Sequence, residues 1–200
     1  MTRPKSRPSG SRPAVRRRDA AATRAAILQS ARLAFAKAGY DGAGVREIAA
    51  GAGVTAMLVN RYFGSKEQLF AEAIAESMAT TSVLAPEIVK ADASGEAIAA
   101  ALVGITKLGD IPLEGFQIML RSAGNERAAE IGREQIERHH QKNIAAALSG
   151  SLVPQRAAVM LALIAGFQLM RQMMGLTALA KAEPKALVKV LAPLFEQLLK

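Results

Sequence analysis

Val45-Arg46-Glu47-Ile48-Ala49-Ala50-Gly51-Ala52-Gly53-Val54-Thr55-Ala56-Met57-Leu58-Val59-Asn60-Arg61-Tyr62-Phe63 reads as two short helices crossing steeply around a tight turn. Such a crossing needs a small side chain on the first helix, and Ala49 supplies it. Four positions later the turn needs a residue that tolerates positive φ, and Gly53 meets that need. Val54, Leu58 and Val59 are placed to face the first helix beside Ile48, and Thr55 to cap the second. This is the spacing of a helix-turn-helix, whose second helix reads base edges with its N-terminal end. A plain helical hairpin can show the same small-Gly-apolar pattern, so the distribution of charge has to decide between them.

The net charge is +9, concentrated at one end. Residues 1–18 hold seven basic side chains (Arg3, Lys5, Arg7, Arg12, Arg16, Arg17 and Arg18) and no acid. Residues 19–66 carry six Lys/Arg against three Asp/Glu, and residues 67–200 thirteen against fourteen. Positive charge therefore sits on and before the helix-turn-helix, which points to a polyanion partner there and a near-neutral role for the rest. Residues 1–18 are rich in Pro, Arg, Ser and Gly and cannot bury enough surface to offset ordering entropy, so a disordered tail is expected.

Half of the residues are apolar but only 4% are aromatic, so the core must be built from Ala, Leu, Val, Ile and Met, which suits helix-on-helix packing. The expected fold is all-α with about nine helices. The first runs from Asp19, with Asp19 or Thr23 as its cap, along an apolar face of Ile27, Ala31, Ala34, Phe35 and Ala38 to Gly39. Short helices follow at 45–50 and 55–62, then one capped by Ser65 and reaching Thr80. The remainder reads as helices at 94–107, 112–122, 125–148, 154–179 and 184–199, the last bent by Pro193. The apolar run Ala157–Phe167, eleven residues, is too short to span a bilayer, which needs ~20. No membrane association is expected, and a chain without cysteine fits a cytoplasmic setting.

Gly39-Tyr40-Asp41, Val45 to Ala49, Ala52 to Thr55, and Tyr62-Phe63-Gly64-Ser65-Lys66-Glu67-Gln68-Leu69-Phe70 closely resemble the TetR family of bacterial regulators, without a gap over residues 20–70. The resemblance implies a three-helix DNA-binding head over 19–66 and a helical effector-binding and dimerisation domain over 67–200. It places Thr55, Ala56 and Met57 toward the major groove of double-stranded DNA, and Asn60, Arg61, Tyr62 and Lys66 on the sugar-phosphate backbone, with Arg46 in the same interface. The chain departs from the family in two places. Ala43-Gly44 stands where a Thr or Ser commonly caps the second helix, and Met57 and Asn60 stand where the family often has Gly and an aromatic. Met57 can touch a thymine methyl but gives no specific hydrogen bond. The basic tail either reaches an adjacent minor groove or adds nonspecific phosphate contacts.

Beyond residue 70 no nucleophile–base pair, phosphate loop or metal cluster is legible, and neither a cofactor nor a metal is expected. His139 and His140 are adjacent on a helix and cannot chelate one ion together; their charged neighbours suggest a solvated face. Phe116, Met119, Leu120, Met160, Phe167, Met170 and Met174 lie on the middle helices as adaptable apolar side chains. By resemblance they would line a pocket for a small hydrophobic effector; ordinary core packing is the plainer alternative for each. Leu163, Phe167, Leu187, Val190, Leu194 and Leu198 make the last two long helices strongly apolar, and by resemblance these pair with a second subunit. The reading is a homodimeric, ligand-responsive repressor on a pseudo-palindromic operator, not an enzyme. A nucleoid protein using the same head without sequence preference is the main alternative.

Overall fold

The computed structural model describes residues 12–80, 94–107 and 114–200, and every regular element among them is helical. α1 spans Arg12–Gly42, α2 Val45–Gly51, α3 Ala56–Phe63 and α4 Lys66–Thr80. α5 is Gly95–Ile105, α6 Glu114–Ser122 and α7 Glu126–Ile136, which continues through a π-helical turn, Glu137–Gln141, into α8, Lys142–Ala147. α9, Val153–Gln168, likewise runs into a π-helical turn, Leu169–Met173; a one-turn α10, Thr177–Ala180, leads to α11, Pro184–Leu199.

Two separate cores hold these helices. In the first, Ile27, Ala31 and Phe35 repeat at i, i+4 and i+8 along α1 and are fully buried. They pack on Ile48, Ala49, Val59 and Phe63 from α2 and α3 and on Leu69, Phe70 and Ile74 from α4. Phe35 and Tyr40 both meet Phe70 edge to face, with ring centroids 5.0 and 4.9 Å apart. Fully burying an aromatic side chain of this size contributes about 1.5–3 kcal/mol. This core does not end with the head: Ile118 of α6 and Ala128 and Ile131 of α7 close it from beyond residue 110.

The second core joins α5, α8, α9 and α11 through Ile98, Leu102, Ile144, Met160, Ile164, Leu191 and Phe195. Here the chain uses glycine for close approach. A Cβ on Gly95 would stand 2.5 Å from the Glu196 amide nitrogen, so α5 and α11 meet backbone to backbone. The Glu196 carboxylate accepts the Gly95 N–H at 3.0 Å, while Ser94 caps α5 by accepting from Ala97 N–H at 3.1 Å.

Several expectations change. α1 begins at Arg12 rather than Asp19, because Pro13 suits a first helical turn and Ala14 and Arg16 to Arg18 are good helix formers. The tail expected over 1–18 is therefore helical from Arg12, and residues 1–11 lie outside the described residues. Neither expected cap operates, since the Thr23 hydroxyl donates to the Asp19 carbonyl one turn back within the helix. Ala38, expected on the apolar face, is exposed. The expected start of α6 at residue 112 also lies outside the described residues. His139 and His140 are half-buried in the π-helical turn rather than solvated, and burial, reinforced by His139, pulls His140 below the usual imidazole range. Val153–Met173 forms 21 helical residues, long and apolar enough by length and composition to cross a membrane. It is nonetheless a core helix here, burying Ala157, Met160, Ile164 and Phe167 against its neighbours.

Candidate nucleic-acid interface

The turn between α2 and α3 closes on backbone hydrogen bonds. Gly53 adopts φ 67°, and the N–H groups of Gly53 and Val54 donate to Ala50 and Ala49 carbonyls at 3.1 and 2.9 Å. Ala49 is 2% exposed, so a larger side chain would push the helices apart. Ser30 fixes α2 to α1 by donating its hydroxyl to the Ile48 carbonyl at 2.8 Å, in a space that a side chain at Gly51 would occupy. Of the expected anchors, Val59 is buried, Val54 packs half-buried on the core, and Leu58 is half-buried.

Thr55 caps α3 as expected: its extended backbone (φ −89°, ψ 153°) lets Oγ1 accept from Leu58 N–H at 3.4 Å. The uncapped start expected for α2 is also present, with Gly44 offering no side-chain bond. Beyond its cap, α3 presents a free outer face. Met57 is 80% exposed, Thr55, Asn60 and Arg61 are exposed, and Ala56 and Tyr62 are half-buried. Arg46 stands exposed on α2. Gly64 ends α3 at φ 76°, donating its N–H to Asn60 O at 2.7 Å, and Ser65 caps α4 by accepting from Gln68 N–H at 3.1 Å.

Lys66 holds its ammonium 4.7 Å from the centre of the Tyr40 ring, and Arg24 stands 4.7 Å over Phe63 while pairing with Glu72. These cations are thereby positioned beside α3 with aromatic and carboxylate supports. Burial, helped by Glu67 and Asp41, pushes the Tyr40 phenol above its ordinary value.

A set of contacts that spacing along the chain does not reveal ties this head to the rest. Arg32 of α1 pairs with Glu114 of α6 at 2.5 Å. The Arg121 guanidinium donates to the Ala36 carbonyl and, at 3.1 Å, to that of Lys37. Ser122 Oγ accepts the Tyr40 N–H at 3.0 Å, and Asn125 donates to Asp41 at 2.8 Å. Gly39, at φ 70° in a kink of α1, lets this corner approach: a Cβ there would lie 2.5 Å from the Arg121 carbonyl oxygen. Two of these residues have a local signal: Gly39 as the glycine expected to end the first helix, and Asn125 as a cap that accepts from Ala128 N–H at 2.9 Å.

The seven residues expected around an effector are dispersed. Met160 and Phe167 belong to the second core, and Met119 packs on the first while facing a cavity of about 380 Å³ between α6, α7 and α9. Phe116 is half-buried, whereas Leu120, Met170 and Met174 are exposed. Apolar character told that these side chains seek burial, not which neighbour they would find. The residues expected at a subunit interface divide too. Phe167 and Leu187 are in the second core, Leu163 and Leu198 are half-buried, and Val190 and Leu194 are 67% and 44% exposed.

A capped, outward-facing helix after a glycine turn, beside positioned cations and on an all-helical body, defines the class of helix-turn-helix regulators. Comparison with known proteins agrees. Residues 27–73 match "Bacterial regulatory proteins, tetR family" and residues 92–199 "Tetracyclin repressor-like, C-terminal domain". The chain belongs to the TetR family, whose members are transcriptional regulators. Comparison with curated proteins finds no match. Among solved structures, a transcriptional regulator from Pseudomonas aeruginosa PAO1 superposes with a TM-score of 0.64 at 18% identity, covering 88% of this chain and 89% of that one. A TetR-family regulator from Streptomyces coelicolor A3 gives 0.52 at 23% identity, covering 96% and 99%. The multidrug binding protein EbrR, solved with proflavin, gives 0.54 at 22% identity, covering 86% and 99%. At these identities the likeness is one of fold.

Proposed function

We propose that the chain is a ligand-responsive repressor that acts in the cytoplasm as a homodimer on a pseudo-palindromic operator. In this reading residues 19–66 form the DNA-binding head, residues 67–200 the effector-binding and dimerisation part, and the basic segment 1–18 adds phosphate contacts. The observation that carries it is the free outer face of α3, where Met57 is 80% exposed on a helix whose opposite side is locked into a core. Thr55, Ala56 and Met57 read the major groove; Arg46, Asn60, Arg61, Tyr62 and Lys66 hold the backbone.

Two features support the finer parts. Val159 and Met170 of the α9 segment and Val190 and Leu194 of α11 expose large apolar side chains, which suits a mate of the same kind. The corner at Arg121, Ser122 and Asn125 grips α1 directly, so a ligand that displaced α6 or α7 would move the head. To swing such an equilibrium nearly completely, the ligand must favour the released form by ~5.5 kcal/mol.

The test is selection of bound sequences from random duplex DNA at about 150 mM salt, where nonspecific phosphate binding is weakened. An Arg61→Ala, Lys66→Ala double variant is the control. One inverted-repeat motif, lost in the variant, is expected. Equal recovery of all sequences, persisting in the variant, would instead support a nucleoid protein.

A further inference from the structure

α5 and α11 lie antiparallel, with Gly95 against Ala192 and Glu196 at one end and Lys107 beside Pro184 and Lys185 at the other. Close approach at Gly95 leaves an open trench of about 980 Å³ along the pair. Its walls are small or apolar: Ala100, Val103 and Gly104 from α5, and Val188, Ala192 and Pro193 from α11. A Cβ on Gly104 would meet nothing within 4 Å, so the glycine opens space rather than packing. The trench lies on a different face of α11 from exposed Val190 and Leu194, which do not line it.

Charge in the trench is divided by end. Lys107, Lys185 and Lys189 gather at the start of α11, while Glu96 and Glu196 stand at the other end. Glu196 is already engaged by the Gly95 N–H and by Lys200. Among the described residues none of the three lysines forms an ion pair. α11 starts at exposed Glu183, which makes no side-chain cap bond, and has no acid in its first turn, so only Glu183 stands against its positive pole there. The opposing negative pole, the C-terminus of α5, is answered from below. Buried Arg171 donates to the Val103 carbonyl at 2.8 Å and to Thr106 at 2.9 Å, and Gln172 reaches the Ile105 carbonyl. One end of an apolar trench thus gathers three lysines that form no ion pair among the described residues.

We infer that this trench binds an amphipathic anion, a small molecule with an apolar chain and a carboxylate head. The head sits among Lys107, Lys185 and Lys189, and the chain lies over Ala100, Gly104 and Val188. The inference rests on the reading of the protein as ligand-responsive and names where the ligand lies and its chemical class.

The test titrates the full chain with laurate below its micelle-forming concentration, using dodecylamine and dodecanol as controls, by calorimetry and without DNA. One laurate per chain is expected, at least about tenfold tighter than either control, or ~1.4 kcal/mol. Gly104→Phe should fill the trench and weaken laurate at least about tenfold, with thermal melting showing that the variant folds. Replacing Lys107, Lys185 and Lys189 together by Gln changes only exposed side chains and should erase the preference for laurate over dodecanol. Absence of laurate binding, equal binding of dodecylamine, or laurate binding unchanged in both variants would overturn the inference. A changed oligomeric state in Gly104→Phe would also overturn it and assign the trench to a second copy. Operator binding is then measured separately with and without laurate. Laurate that binds without releasing DNA would leave the site standing and count against the ligand-responsive reading alone.

Discussion

The two cores differ in how far each completes itself. The first, around Phe35 and Phe70, draws in Ile118, Ala128 and Ile131 from distant helices, and around it only Leu33, Met57 and Leu120 remain as exposed large apolar side chains among the described residues. The second, around Phe195 and Met160, leaves Leu152, Val159, Met170, Met174, Leu176, Val190 and Leu194 outside. The first unit has covered most of its apolar surface, while the second leaves apolar side chains free for a partner. On the proposed function, the contrast separates the surface that would read DNA from the surfaces that would bind and pair.

The strongest challenge to this contrast is to empty each core in turn. Phe35→Ala and Phe195→Ala should each cost about 3–5 kcal/mol. In scanning calorimetry the two variants should shift different parts of the unfolding profile. A single transition moved equally by both would show that the cores are one cooperative unit.

Next in size is the apolar face itself. Val190→Asp with Leu194→Asp should weaken self-association by at least about a hundredfold, ~2.7 kcal/mol, in sedimentation while leaving helical content unchanged. An unaltered sedimentation coefficient would mean that the face pairs with nothing of its own kind.

The joint between the regions comes third. Gly39→Ala places a Cβ against the Arg121 carbonyl at positive φ and should cost about 2–3 kcal/mol in denaturant unfolding. Ser122→Ala removes the acceptor of the Tyr40 N–H and should cost about 1 kcal/mol. If Gly39→Ala melts like the parent chain, the corner does not hold α1 as described.

The smallest effect is a pH dependence. The Gly95 N–H, then Lys200, holds the Glu196 carboxyl below the usual carboxylate range. A depressed carboxyl stabilises the fold above its unfolded value and loses that contribution as pH falls through its folded value. The melting difference between the parent and Glu196→Gln should therefore be present at neutral pH and narrow in acid. A difference independent of pH would remove the charge from the explanation.

The head was largely legible because its signals are local. Gly53, Thr55 and Ser65 act within three residues of their partners and Ala49 across the adjoining turn, and each does in space what its spacing implied. What was hidden depends on distance along the chain. Nothing near Arg121 or Ser122 reveals that they would meet residues 36–40, and a string of methionines does not tell which of two cores claims each. The early start of α1 is hidden because a Pro- and Arg-rich stretch has the composition of a tail, although proline suits a first helical turn and arginine has good helix propensity.

The grip of that corner on α1 falls mostly on main-chain atoms: the carbonyls of Ala36 and Lys37 and the amide of Tyr40. Every residue type offers the same carbonyl, and every type except proline the same amide. Apart from the Asn125–Asp41 and Arg32–Glu114 pairs, the joint is therefore blind to the side chains it holds. Exposed position 37 can change without loosening the link, whereas Gly39 cannot, and the buried Ala36 side chain is held by the core rather than by this corner.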